Sequence, residues 1–183
     1  TNTLCTSHLP PKISKRLRAS IVLTGPLLAR TGQVHFPHPG GCVIGKRPID
    51  LFIEGFQKMG AHARVINETY VVRAKKGKLS GAEIFLRSAS VTATETFIMA
   101  AVLAEGKTVI KNAGLEPEIE SLLRFLISCG ARIKGVGTTT LEITGGSLLS
   151  AKKRSYITPP DRIETGSFLI LGALAARELE ITH

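Results

Sequence analysis

Aromatic side chains are scarce in this sequence of 183 residues. They make up 5% of it, with two tyrosines and no tryptophan. A protein that binds single-stranded nucleic acid commonly stacks the bases on aromatic rings, so the scarcity weighs against that class. The formal net charge of +10 nevertheless favours an anionic partner of some kind.

Cysteine is also sparse, and long apolar runs are missing. The three cysteines are an odd number with no paired spacing, which argues against a disulfide framework and against a zinc site. Apolar stretches such as FIMAAVLA are too short to span a bilayer. We therefore expect a soluble protein of a reducing cytoplasm without a metal site. We also expect it to need no cofactor.

An internal repeat organises the chain. Gly60-Ala61 and Gly130-Ala131 each follow the pattern of an amphipathic helix and precede the pattern of a strand. One complete unit, from GAEIFL to TTLEITG, has the order βαβαββ. The first helix of each unit is apolar on nearly every face, which predicts burial, and a third such helix begins at PPDRIETG and leads into a strand at ELEITH. The pattern predicts an α/β (α+β) fold with buried helices between sheets.

The stretch PGGCVIGKRPIDL places Cys42 among glycines and beside the positive charges of Lys46 and Arg47. Glycines make such a stretch mobile, and adjacent cations favour the reactive thiolate. The alternative is an incidental cysteine at the tip of a hairpin. Cys129 ends an apolar stripe and is expected to pack in the core, and Cys5 is expected to be incidental.

Three places combine positive charge, hydroxyl groups or a helix start. The first is Arg47-Pro48, where Pro48 is predicted to be an early helical residue. The planar guanidinium of Arg47 and the N-terminus of that helix would then face the same point, which suits a phosphate or a flat polar ring. Arg18 adjoins an apolar run and is expected to point inward. Ser88 and Ser90 are either helix caps or hydroxyls that hold a diphosphate. A solvated arginine and simple caps are the alternative.

Several stretches resemble a known family: RASIVLTGPLLAR, PGGCVIGKRPIDL, GAEIFLRSASVTATETFIMAAVLAEGKTVIKNAGLEPEI and PPDRIETGSFL. They closely resemble the UDP-N-acetylglucosamine 1-carboxyvinyltransferases, from about Pro10 to His183. The resemblance implies the enolpyruvyl-transferase fold, an inverse α/β barrel built of βαβαββ repeats. It also implies that residues 1–157 are most of one domain and residues 158–183 the start of a second, in a piece of a longer protein.

The resemblance further implies a reaction in the bacterial cytoplasm. Phosphoenolpyruvate and UDP-N-acetylglucosamine condense and release phosphate, which opens peptidoglycan synthesis. Cys42 is then the general acid on a mobile loop and the target of the antibiotic fosfomycin, and Arg18 helps to hold substrate phosphate. The uridine-side pocket is then formed by Arg47, Pro48, Ile49, Asp50 and Leu51. The diphosphate site is formed by Ser88, Ala89, Ser90 and Val91. Many relatives have lysine in place of Ser88, so one positive charge is absent here.

Two alternatives stay open. A 3-phosphoshikimate 1-carboxyvinyltransferase shares the fold and the type of reaction, although PGGCVIGKRP favours the nucleotide-sugar enzyme. A basic nucleic-acid-binding module would lose affinity sharply as salt is added. The resemblance itself implies no nucleic-acid partner and no membrane partner, and we expect the isolated chain to be inactive.

Overall fold

The computed structural model describes residues 4, 6–41, 48–151 and 155–182. The chain divides into two compact units, Thr1–Lys152 and Lys153–His183. Cys5, Cys42 and Arg47 lie outside the described residues, so the expectations for them stay predictions. The domain boundary between residues 157 and 158 stays a prediction as well.

The first repeat of the larger unit begins with short helices and ends in a sheet. Its elements are helix α1 (Pro11–Ser14), a 3-10 helix (Arg18–Leu23), α2 (Thr24–Thr31), β1 (Gln33–Pro37), α3 (Asp50–Lys58), β2 (Ala61–Ile66) and β3 (Thr69–Ala74). The strands form an antiparallel sheet in the order β1-β3-β2. Ahead of them, His8 forms a parallel bridge with His35 of β1.

The second repeat has the predicted βαβαββ order. Its elements are β4 (Glu83–Phe85), α4 (Val91–Ala101), β5 (Lys107–Lys111), α5 (Pro117–Ser128), β6 (Arg132–Lys134) and β7 (Thr140–Thr144). The sheet order is β4-β5-β7-β6, with β4 parallel to β5 and the other pairs antiparallel. The parallel β4–β5 pair is therefore the counterpart of the His8–His35 bridge in the first repeat.

Helix α4 lies at the centre of the larger unit, as its apolar character on every face predicts. It packs against the 3-10 helix, α2, α3 and α5. The fully buried Phe97 ring of α4 lies 5.5 Å from the Phe56 ring and 6.3 Å from the Phe52 ring of α3. Glycine is required where helices approach this closely: a Cβ at Gly25 of α2 would overlap the Thr96 carbonyl oxygen of α4.

The repeated Gly-Ala pair has a backbone explanation. Gly60 follows α3 with φ of 84°, and Gly130 follows α5 with φ of 104°. Both values lie in the left-handed region that glycine adopts without steric cost, which is common just after a helix ends. The residue after each glycine then enters a strand or the approach to one, which is the pattern that the sequence repeats.

The smaller unit consists of helix α6 (Arg162–Ala175) and its flanking segments. The Asp161 side chain caps α6 by accepting hydrogen bonds from the N–H groups of Ile163 and Glu164, as the cap pattern predicts. Burial of this apolar helix was the wrong expectation, because Phe168 is 52% and Leu174 82% exposed. The strand predicted at ELEITH is also wrong for residues 178–182, which pair with no strand among the described residues.

The structure also bears on membrane insertion. Of the helices in the part of the chain that it describes, none has the length and apolar character that a crossing requires.

Candidate functional site

A groove of about 590 Å³ lies in the larger unit where α3 and α4 begin. Its walls come from the start of the 3-10 helix, the entry to α3 and the entry to α4. The lining residues are Arg18, Pro48, Asp50, Leu51, Phe52, Arg87, Ser88, Ala89, Ser90, Val91 and Thr92. The groove thus brings together three sequence segments that the motif analysis singled out separately.

The N-terminus of α4 forms one wall. Ser90 is the N-cap: its hydroxyl oxygen accepts a hydrogen bond of 3.3 Å from the Ala93 N–H. The first-turn N–H groups of Val91 and Thr92 have no partner inside an α-helix, and the helix dipole makes this end partly positive. Ser88 and Ala89 are exposed just ahead of the cap. This wall therefore offers N–H and hydroxyl donors to an anion.

Arg18 forms a second wall from the start of the 3-10 helix. Its side chain is half-buried, and one Nη2–H donates a hydrogen bond of 3.2 Å to the Pro48 carbonyl oxygen. The guanidinium thereby stays beside the segment that enters α3. It adds a permanent positive charge to the groove, since arginine remains protonated at any physiological pH.

The entry to α3 differs in detail from the expectation. Pro48 was predicted as an early helical residue, but the helix begins at Asp50, with Ile49 as its N-cap at φ −115° and ψ 9°. Ile49 is 3% exposed and packs in the core, so its burial fixes a turn before the helix can start. The groove lining includes Pro48, Asp50 and Leu51, whereas the buried Ile49 is not among the lining residues.

Sequence reasoning missed Arg87, Thr92 and Phe52 as lining residues. Arg87 is exposed, and its Nη2 lies 2.9 Å from Oε1 of Glu54 on α3. The signal was available for Arg87, because it directly precedes Ser88 in RSASVTAT. Two guanidinium groups and the Asp50 carboxylate therefore line the groove, with Glu54 paired to Arg87 beside it, and the guanidinium groups suit a phosphate-bearing ligand.

The remaining predicted residues lie elsewhere or are not described. Cys42 and Arg47 lie outside the described residues; Arg47 is the sequence neighbour of Pro48, which lines the groove. Cys129 is only half-buried after the last turn of α5, so the expected core position holds in part. It lines a separate cavity of about 340 Å³.

Comparison with sequence families and curated proteins gives consistent matches. The family model described as EPSP synthase (3-phosphoshikimate 1-carboxyvinyltransferase) matches residues 2–183. A UDP-N-acetylglucosamine 1-carboxyvinyltransferase of Idiomarina loihiensis is 52% identical over 161 residues, which are 88% of this chain and 38% of that protein. Its namesake from Cellvibrio japonicus is 43% identical over 182 residues, 100% of this chain and 43% of that protein. The chain thus spans less than half the length of these relatives.

Solved structures show the same architecture. The enolpyruvyl transferase NikO from Streptomyces tendae matches with a TM-score of 0.73 and 20% identity, over 94% of this chain and 40% of that one. An EPSP synthase from Acinetobacter baumannii matches with a TM-score of 0.57 and 21% identity, over 72% of this chain and 29% of that one. At such identities the likeness concerns the fold alone, and it confirms the predicted enolpyruvyl-transferase fold.

Proposed function

The chain belongs to the EPSP synthase family, and from this premise we propose that it is part of a UDP-N-acetylglucosamine 1-carboxyvinyltransferase. Such an enzyme moves the enolpyruvyl group of phosphoenolpyruvate to the 3-hydroxyl of UDP-N-acetylglucosamine and releases phosphate. Because the chain spans 38% and 43% of two relatives with that name, the activity belongs to a longer protein. We place that protein in the bacterial cytoplasm, at the first committed step of peptidoglycan synthesis.

The groove at the starts of α3 and α4 is the observation that supports this proposal most. Its volume of about 590 Å³ lies in the range of sites for ligands of nucleotide-sugar size. A diphosphate needs cations and N–H donors, and a uracil ring needs a flat apolar contact with a few polar atoms. Arg18 and the start of α4 supply the cation and the N–H donors, and Leu51 and Asp50 supply the apolar contact and the polar atoms.

Within this proposal the lining residues divide into two ends. Pro48, Asp50 and Leu51, with Arg47 ahead of them, hold the uridine end. The segment Ser88–Val91 donates hydrogen bonds to the diphosphate, where the partly positive start of α4 favours negative charge. Arg18 holds phosphate between the two ends, since its guanidinium is fixed beside the Pro48 carbonyl.

The chemical step rests on the resemblance through Cys42. The sugar 3-hydroxyl gives its proton to a base of the complete protein and adds to C2 of phosphoenolpyruvate. The Cys42 thiol donates a proton to C3 and becomes a thiolate, and a tetrahedral intermediate forms. Loss of phosphate from C2 and of a proton from C3 then restores the double bond. Charge that develops on the phosphate is stabilised by cations. A complete cleft needs such groups from both sides, which is why we expect no turnover from this chain alone.

A second candidate is the activity in the family description, 3-phosphoshikimate 1-carboxyvinyltransferase. Its acceptor carries one phosphate and no nucleobase. Leu51 and the segment Pro48–Asp50 would then have no nucleobase to contact. Binding that depends on the uridine distinguishes the two activities.

The test is calorimetric titration of the 183-residue chain with UDP-N-acetylglucosamine, UDP, uridine and shikimate 3-phosphate. We expect saturable binding of the UDP-sugar and of UDP, weaker binding of uridine and none of shikimate 3-phosphate. The complete protein should release phosphate only when phosphoenolpyruvate and the UDP-sugar are both present. Preferential binding of shikimate 3-phosphate, or binding of oligonucleotides with a steep loss in salt, would contradict the proposal.

A further inference from the structure

We propose that Arg87 is a further anion-binding residue of the groove and that Glu54, its ion-pair partner, competes with the anion for it. The inference rests on the function proposed above, because the anion it assigns to Arg87 is the diphosphate of the UDP-sugar. It concerns a cation that was not among the predicted site residues, although it directly precedes Ser88.

Arg87 lines the groove with an exposed side chain. Its side chain is 66% exposed, and its Nη2 donates a hydrogen bond of 2.9 Å to Oε1 of Glu54, which is 48% exposed. Glu54 is on α3, whereas Arg87 precedes the Ser90 cap of α4 by one turn of chain. The pair therefore joins α3 to the segment ahead of α4, the two elements whose starts line the groove.

A purely structural role does not account well for this pair. Ion pairs between exposed side chains contribute little to folding stability. The Arg87 guanidinium has five N–H donors in a planar fork, and the bond to one Glu54 oxygen engages one of them. The rest of the fork matches the geometry of phosphate oxygens, which guanidinium binds through two parallel hydrogen bonds. Arg87 also adjoins Ser88, so its charge lies next to the donors at the start of α4.

Glu54 then competes with the ligand. Its carboxylate and a phosphate are both negatively charged and both bind the Arg87 guanidinium, so each lowers the affinity of the other for Arg87. Because the two side chains are 66% and 48% exposed, salt screens both interactions. The contribution of Arg87 to phosphate binding is therefore largest at low ionic strength.

The experiment compares UDP with uridine as probes, by calorimetry on the 183-residue chain. Arg87→Gln should weaken UDP binding about tenfold and leave uridine binding unchanged, since only UDP has the phosphates. Glu54→Gln should strengthen UDP binding about threefold, and this gain should vanish in the double variant Arg87→Gln/Glu54→Gln. Arg124→Gln is the matched control, because Arg124 forms an exposed ion pair with Glu120 on α5 outside the groove lining.

The outcomes separate this inference from the proposed function. Native chain that binds neither UDP nor the UDP-sugar would overturn both. Native chain that binds UDP while Arg87→Gln matches Arg124→Gln would overturn this inference alone. Equal weakening of UDP and uridine by Arg87→Gln would also overturn it, because Arg87 would then shape the groove instead of binding phosphate.

Discussion

The guanidinium of Arg18 donates a hydrogen bond of 3.2 Å to the carbonyl oxygen of Pro48, 30 residues further along the chain. The contact joins the start of the 3-10 helix to the entry of α3, which are two walls of the same groove. Arg18 therefore has two effects that can be measured separately. Within the proposed function, it positions the segment assigned to the uridine end and supplies positive charge for a phosphate.

We predict that Arg18→Ala weakens binding of UDP-N-acetylglucosamine at least about tenfold, because charge-assisted hydrogen bonds to phosphate are lost. Uridine binding should weaken as well, since the Pro48 carbonyl loses its partner. Arg18→Lys should recover only part of the loss, because an ammonium lacks the planar fork. Calorimetric titration checks these changes, with Arg16→Ala as the control at an exposed neighbouring cation. Equal affinities for Arg18→Ala and Arg16→Ala would contradict the role of Arg18.

A second prediction concerns the contact between α2 and α4. Gly25→Ala should lower the free energy of unfolding by at least about 2 kcal/mol, because the added methyl group overlaps the Thr96 carbonyl oxygen and the helices must separate. Urea unfolding followed by circular dichroism measures the change. Gly166→Ala is the control in α6, where an added Cβ meets nothing within 4 Å, and it should change stability by no more than about 1 kcal/mol. Equal unfolding midpoints for the two variants would contradict this account of α2–α4 packing.

The sequence predicted the repeat well, because burial leaves a periodic signal. Helix α4 is apolar on every face and is enclosed, whereas α5 has an apolar stripe and lies on the surface with Ile119 and Leu123 buried. The left-handed glycines after α3 and α5 fixed the boundaries. Local patterns of this kind depend on neighbouring residues, so they can be recognised without a structure.

Tertiary contacts were not predictable in the same way. Nothing local indicates that Glu54 and Arg87 pair, because they are 33 residues apart. The burial of Ile49, which moves the start of α3 beyond Pro48, depends on the core that packs against it. Helix α6 has the composition of a buried helix, but its Phe168 is half exposed. Composition shows that a helix is apolar, but it does not show which residues pack against that helix.

A third prediction concerns the pH dependence of stability. Burial, with a smaller contribution from the nearby Glu118 carboxylate, raises the pKa of Glu95 above its ordinary value of 4.5. The folded chain then binds the proton more tightly than the unfolded chain, so Glu95 lowers the free energy of unfolding as the pH rises from 4.5 through the raised pKa. Glu95→Gln should therefore be more stable than native protein at neutral pH and equally stable below pH 4.5.

Urea unfolding at the two pH values measures this difference. Glu68→Gln is the control, because the Glu68 side chain is 88% exposed and its ion pair with Lys15 is long, at 3.8 Å. It should leave stability unchanged at both values. A Glu95→Gln variant that is less stable than native protein at neutral pH would show that the Glu95 carboxylate is stabilised where it lies.

The last prediction concerns Cys42, which lies outside the described residues. Lys46 and Arg47 follow it closely in the sequence, and we expect such cations to favour the thiolate. Iodoacetamide should therefore label Cys42 faster than the half-buried Cys129 in the native chain. In the complete protein with UDP-sugar bound, fosfomycin should alkylate Cys42, because an epoxide opens when a thiolate attacks its carbon. Peptide mass mapping identifies the labelled cysteine in both cases.

Substitutions at Cys42 separate proton donation from other roles of the thiol. Cys42→Ser should abolish the fosfomycin adduct and most activity of the complete protein, because a hydroxyl is a far weaker acid than a thiol. Cys42→Asp should keep activity and resist the drug, since a carboxyl donates a proton but forms no stable thioether. Phosphate release that requires both substrates measures activity. If Cys42→Asp is as inactive as Cys42→Ser, or if Cys129 is labelled first, Cys42 does not act as the general acid.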